Sequence, residues 1–166
     1  MLRSLGLLLL RLSVGGTLMA HGYPKLFGGP DKKAPEPFAK ALGPNWQTAI
    51  ERGGPEGFAT GLESTGVPYP LAGAYASGIT EFFGGLALVL GFKTRLVALP
   101  IIFNLGVAIW KAHWQKGFYG EGGYELPLSL AVSAATLKLT GPGAISVDGI
   151  CSAVCKCDKK KDEKSD

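Results

Sequence analysis

The amino-acid sequence predicts an all-α integral membrane protein: a four-helix bundle of spanning helices, with a long outer loop containing short helices after the first span. Three observations predict it. The 166 residues are 46% hydrophobic but only 18% charged, where an ordinary soluble domain carries nearer a quarter. The charge is segregated, much of it lying in the region after Lys25 and in a tail from Lys156. The apolar residues form four long runs rich in Leu, Ala and Gly, without the period-2 alternation of barrel strands. The length suits one domain, with residues 1–150 as the membrane unit and 151–166 as a Cys/Lys-rich tail.

The first run, residues 2–27, begins MLRSLGLLLLRLSVGGTLMA. It has the basic start and leucine core of a secretory leader. Arg11 interrupts that core, and Leu18 spoils the small-x-small pattern before Ala20, so the run is read as a retained span. The loop 28–70 is long for a helix–helix link. Its pieces PFAKALG, WQTAIERG and GFATGLESTG read as short amphipathic helices that cap the bundle, with a substrate lid as the sharper alternative. The runs 71–90 and 96–114 match the ~20 residues needed for a hydrocarbon core of about 30 Å. They show almost no polar outer face, which argues against a soluble bundle. The fourth run, 124–139, is short and reaches that length only by extending toward the Gly141-Pro142-Gly143 stop.

Arg3, Lys93, Arg95 and the tail lysines Lys156, Lys159, Lys160, Lys161 and Lys164 fall on one side of such a bundle. The positive-inside rule makes that side cytoplasmic and puts both termini there.

Glu81, in GITEFFGGLALVLGF (78–92), lies about 15 Å from either end of its span, too deep to reach the interface. An unpaired carboxylate there costs a few kcal/mol or more. Counting from the cytoplasmic side, Arg11 reaches a similar depth and Asn104 does too, so the expected interior cluster is Arg11–Glu81 with Asn104 as a hydrogen-bonding third member. The stripe Ala74, Gly78, Glu81, Gly85 and Leu88 faces inward with small residues that admit a neighbouring backbone. Arg11, Gly15, Leu18, Gly22 and Lys25 make a similar stripe on the first span. A purely structural ion pair is the bland alternative, though buried intramembrane charge is by default functional.

A second polar tier lies at the outer boundary: His21, Lys25, Lys111, His113 and Glu125, among Trp110, Trp114, Phe118, Tyr119 and Tyr124. It reads as an outer-side pocket. The ordinary explanation, an aromatic belt with snorkelling lysines, has equal weight for Lys25 and Lys111. For His113 and Glu125 a proton-exchanging pair is favoured. On an ideal helix His113 points about 180° away from Asn104.

The segments LLRLSVGGTLMAHGYPKLFG, STGVPYPLAGAYASGITEFFGGLALVLGFKTRLVAL and AHWQKGFYGEGGYELPLSLAVSAATLKLTGPGAISVD resemble the DoxX family of bacterial four-span membrane proteins. Arg11, His21-Gly22-x-x-Lys25, Gly66-Val67-Pro68, Glu81 with Gly84 and Gly85, Gly91-x-x-x-Arg95, His113, Gly123-x-Glu125 and Asp148 carry the resemblance, which runs to Asp148. It implies a four-helix fold in the bacterial inner membrane. It also implies an association with quinone-linked oxidoreductase systems or with complexes handling thiol and oxidative stress. Most members of the family have no assigned reaction.

The tail CSAVCKCDKKKDEKSD lies beyond that resemblance. The C-x3-C-x-C spacing of Cys151, Cys155 and Cys157 is no recognised zinc pattern, and on the cytoplasmic side the thiols stay reduced. A disordered charged end is the favoured reading; lipidation or contact with anionic headgroups is the alternative. A net charge of +4, scattered along the chain, does not imply nucleic acid. No metal cluster, phosphate loop or Ser-His-Asp set is present, and no facing histidine pair suits bis-histidine haem. Two readings of function remain. In one, a quinone- or amphiphile-binding subunit has its electrons supplied by a partner protein. In the other, an accessory subunit is wedged into a larger membrane complex. A small transporter is a weaker third.

Overall fold

The computed structural model of the chain describes residues 2–153. Among these residues there is no strand. The α-helices follow in order: α1 (Leu2–Phe27), α2 (Glu36–Leu42), α3 (Pro44–Glu51), α4 (Gly54–Ser64), α5 (Pro70–Leu90), α6 (Thr94–Ala108) and α7 (Glu125–Thr140), and the chain is helical again over 147–153. After α6 the chain continues through a π-helical turn (Ile109–His113) and a 3-10 turn (Trp114–Lys116).

Three helices are long and apolar enough to cross a membrane: Leu2–Phe27, Pro70–Leu90 and the continuous Thr94–Lys116. The protein is therefore a multi-pass membrane protein in contact with lipid. Helix α7 has 16 residues, about 24 Å, shorter than those three. It packs along α6, and Ala134 and Leu137 are fully buried in the common core with Ile101 and Leu105. Three of its four hydroxyls are suited to an apolar medium: Ser129, Thr136 and Thr140 each donate to the carbonyl four residues back, at 2.8, 3.0 and 2.7 Å, so these three do not require water.

The tightest packing joins α1 to α5, and glycine permits it. A Cβ on Gly15 would lie 2.6 Å from the Gly85 carbonyl oxygen, and one on Gly22 would lie 2.5 Å from the Phe82 backbone nitrogen. The two backbones touch where any side chain would part them. The buried residues of α5 are Ala74, Gly78, Glu81, Gly85 and Leu88, the five on the inward stripe.

Helices α2–α4 form a cap over one end. Each has Pro at its first turn, where the missing N–H costs nothing. The cap is pinned to α1: the Trp46 indole N–H donates to the Ala20 carbonyl at 2.7 Å, and the Gly29 N–H donates to Ile50 at 2.8 Å.

At the opposite end, α5 stops at Gly91, whose φ of 68° suits a residue without Cβ. The Gly91 and Phe92 N–H groups donate back to Leu88 and Ala87, the Schellman closure of a helix. Asp148, from the segment after α7, caps the next helix, accepting from the Lys93 and Thr94 N–H groups at 2.8 and 3.1 Å. Its own N–H donates to the Gly91 carbonyl. The chain beyond α7 thus folds back beneath the bundle. Cys151 is exposed in this segment; Cys155, Cys157 and the tail lysines lie outside the described residues.

Candidate functional site

Glu81 is buried, and its Oε1 accepts three hydrogen bonds. The Lys25 ammonium lies at 2.6 Å, the Asn104 side-chain amide at 3.0 Å and the Ser77 hydroxyl at 3.4 Å. Lys25 also donates to Ser77 at 3.3 Å, and its ammonium stands 4.5 Å from the centroid of the Phe58 ring. The second carboxylate oxygen, Oε2, is buried and has no partner among the described residues.

The structure brings Asn104 to Glu81 but corrects the cation expected there. Arg11 does not meet the carboxylate. Its guanidinium donates to the backbone carbonyls of Leu88 and Val89, at 3.4 and 3.2 Å, and to that of Ile145. Leu88 and Val89 lie about 10 Å along α5 from Glu81. Arg11 therefore bonds to carbonyls at the negative end of the α5 dipole, of which Leu88 also accepts from the Gly91 N–H. The error is one of register. Helix α1 is five residues longer than α5 (26 against 21), and its surplus overhangs the end opposite the cap, so depth counted from its first residue overestimates how far Arg11 penetrates. The same shift brings Lys25 level with Gly78 and within reach of Glu81. Lys25 does not snorkel because the cap covers it, with Phe58 of α4 above its ammonium.

The outer tier is divided. Lys111 donates to the Gly66 carbonyl at 3.3 Å and lies over the Trp110 ring, tying the π turn to the loop before α5. His113 and Glu125 do not form the expected pair. Nδ1 of His113 bonds to the Gly122 carbonyl oxygen at 2.7 Å, and the Glu125 carboxylate has no bond among the described residues. Glu125 instead opens α7, where its backbone N–H donates to Phe118.

The π turn moves His113. A π segment has more residues per turn than an α-helix, so each residue in it advances by a smaller angle. His113 consequently lines the interior instead of standing opposite Asn104.

Two cavities meet at this cluster. The larger, about 430 Å³, lies between α4, α5 and α6. Its walls are mostly apolar, with Leu62, Val67, Phe103 and Val107 among them, and its polar end is formed by Lys25, Ser77, Asn104 and His113. The smaller, about 150 Å³, lies on the other side of Glu81 and is lined by His21, Lys25, Glu81, His113 and side chains of α7. His21 also faces a groove of about 800 Å³ between α1 and the cap.

Sequence reasoning missed Ser77, Phe58 and the inward turn of His113. Ser77 was accessible in principle, since it stands one helical turn before Glu81. Phe58 and the π turn have no local signal. No group of three or more metal-ligating side chains occurs among the described residues.

The chain is 34% identical over 93 residues to inner membrane protein YphA of Escherichia coli (strain K12), covering 52% of this chain and 66% of YphA. It is 36% identical over 74 residues to inner membrane protein YqjF of the same organism, covering 42% of this chain and 55% of YqjF. The matched stretches thus span less than two thirds of either relative. No solved structure matches. The DoxX family model matches residues 6–114, which takes in most of α1, the cap, the whole Glu81 cluster and the π turn and leaves α7 outside. With that much of the chain matched, the protein belongs to the DoxX family.

Proposed function

We propose that the protein binds a quinone or a similar amphiphile within the bilayer, as a subunit of a membrane oxidoreductase system. It would reside in the bacterial inner membrane, with α7 as a fourth span and both termini cytoplasmic. The observation that carries this reading is the 430 Å³ cavity. Its volume falls within the range of about 300–1,000 Å³ that small-molecule sites occupy, and its composition, apolar walls with a few convergent polar groups, is theirs too.

The polar end offers donors of the kind a carbonyl headgroup accepts: Lys25, the Asn104 amide and Ser77. The walls toward Phe103, which is 74% exposed, suit an apolar tail that continues into lipid. Electrons would come from a partner subunit, since the chain's own side chains offer polarity and proton exchange. The Glu81–Lys25 pair would hold the headgroup end polar, with Lys111 as a further cation on the cavity wall.

The test is purification in mild detergent followed by extraction and quantification of bound quinone. Wild type is expected to retain quinone, Glu81→Gln to lose most of it, and Gly73→Leu, which fills the cavity beside Leu62 and Val67, to exclude it. A folded Gly73→Leu protein that keeps a wild-type complement of quinone refutes this reading. Quinone absent from every preparation, with a stoichiometric protein partner in native membranes, would favour the accessory-subunit alternative.

A further inference from the structure

We propose that Glu81 is a reversible proton-binding site that exchanges with the cap side of the protein through the small cavity bounded by His21 and His113. This goes beyond the ligand reading above and holds whether or not the larger cavity takes an amphiphile.

The argument starts from the two oxygens of one carboxylate. Oε1 is saturated by Lys25, Asn104 and Ser77, groups that also line the larger cavity. Oε2 is buried and unpartnered among the described residues. A buried carboxylate oxygen without a donor is costly, and the side chain that carries it lines the 150 Å³ cavity. That volume has room for a few waters at about 30 Å³ each; His21, Lys25, Glu81 and His113 give them polar partners on a wall that is otherwise apolar.

The groups facing Glu81 can be taken helix by helix. Helix α1 contributes His21 and Lys25, α5 contributes Ser77, α6 contributes Asn104 and the π turn contributes His113. Helix α7 closes the small cavity with Leu126, Pro127 and Leu130 and brings no charge. Both imidazoles therefore share the small cavity with the Glu81 side chain, and Lys25 and His113 line the larger cavity as well.

His21 gives the cavity its exit, because it faces the 800 Å³ groove beneath the cap as well. His113 is oriented by its Nδ1 bond to Gly122, which places its ring at the cavity wall and leaves Nε2 for a second partner. A proton arriving from the cap side breaks an N–H bond on imidazolium, passes along water and forms an O–H bond at Oε2. The imidazole regains its proton from the groove. Lys25 keeps its own protons throughout and remains bonded to Oε1. The site is thus loaded through the groove beneath the cap.

The experiment uses the full chain in lipid nanodiscs without added quinone. Infrared difference spectra between acidic and alkaline buffers report the neutral carboxylic acid, and Glu81→Gln assigns its band. Transfer to D2O then gives the exchange rate at that site. The wild type is expected to show a reversible band absent from Glu81→Gln. Exchange should slow about a hundredfold in His21→Leu/His113→Leu, the low end of what a positioned proton-transfer group contributes. Leu130→Trp, which fills the small cavity, should slow it similarly, and Leu126→Trp serves if that variant does not fold. Gly73→Leu, which fills the larger cavity, should leave the rate unchanged. The proposal is overturned by a Glu81 that never protonates, by unchanged exchange in the small-cavity variants, or by slowing in Gly73→Leu. A wild type that holds no quinone, or a Gly73→Leu protein that keeps it, with an intact Glu81 band would overturn only the ligand reading.

Discussion

Replacing Lys25 by Met removes the cation that forms the ion pair with Glu81. The ion pair is 2.6 Å long, with side chains 19% and 6% exposed, so both groups are largely withdrawn from solvent. At an effective dielectric of about 20, unit charges at that separation attract by roughly 6 kcal/mol before desolvation is subtracted. Removing one partner of a buried pair costs about 3–5 kcal/mol, because the survivor is left uncompensated. Lys25→Met is expected to fall in that range, and adding Glu81→Gln should recover much of the loss by removing the stranded charge. The assay is a double-mutant cycle from reversible unfolding in mixed micelles. Coupling between positions 25 and 81 should be about 2 kcal/mol or more, whereas Arg11→Met with Glu81→Gln should be additive within about 0.5 kcal/mol. Additive 25/81 effects, or strong 11/81 coupling, would refute the register of α1 against α5 and restore the pairing the sequence suggests.

Three further outcomes follow from close contacts and caps. Gly22→Leu forces α1 away from Phe82, so loss of native helix packing is expected, measured as at least the ~1–3 kcal/mol of overpacking or as failure to fold in detergent. Gly91→Ala places a Cβ where the Arg11 guanidinium and Ser146 already sit, at positive φ. Its cost should exceed the ~1–2 kcal/mol of the left-handed conformation alone, read from the same unfolding assay. Asp148→Ala removes the cap on α6 and should cost about 1 kcal/mol, with faster amide exchange at Lys93 and Thr94 and little change near Glu81.

The fold was largely legible from period and composition. The inward stripe of α5 could be read because glycines and Glu81 recur at helical spacing, and α2–α4 form where short amphipathic pieces follow prolines. What sequence does not encode locally is the relative height of two helices. That height depends on backbone contacts such as Gly15–Gly85 and Gly22–Phe82, which are visible only once both helices are placed. Arg11 and Lys25 were therefore assigned each other's environment, one as the partner of Glu81 and the other as a boundary residue. His113 was misdirected for a different reason. The phase of its helix changes at Ile109, and IWKAH contains no glycine or proline that marks a π turn. Glu125 was linked to His113 by nearness in sequence, whereas the loop between them brings Gly122 to the imidazole first.

The bonds of Arg11 have a bearing on biosynthesis. Its guanidinium is neutralised by carbonyls of residues 88 and 89, late in α5, and of residue 145, more than a hundred residues downstream of it. During translation the oldest helix must therefore hold an incompletely solvated cation until nearly the whole polypeptide has emerged. Only then does the Ile145 carbonyl arrive, so a nascent chain halted after α6 lacks that bond.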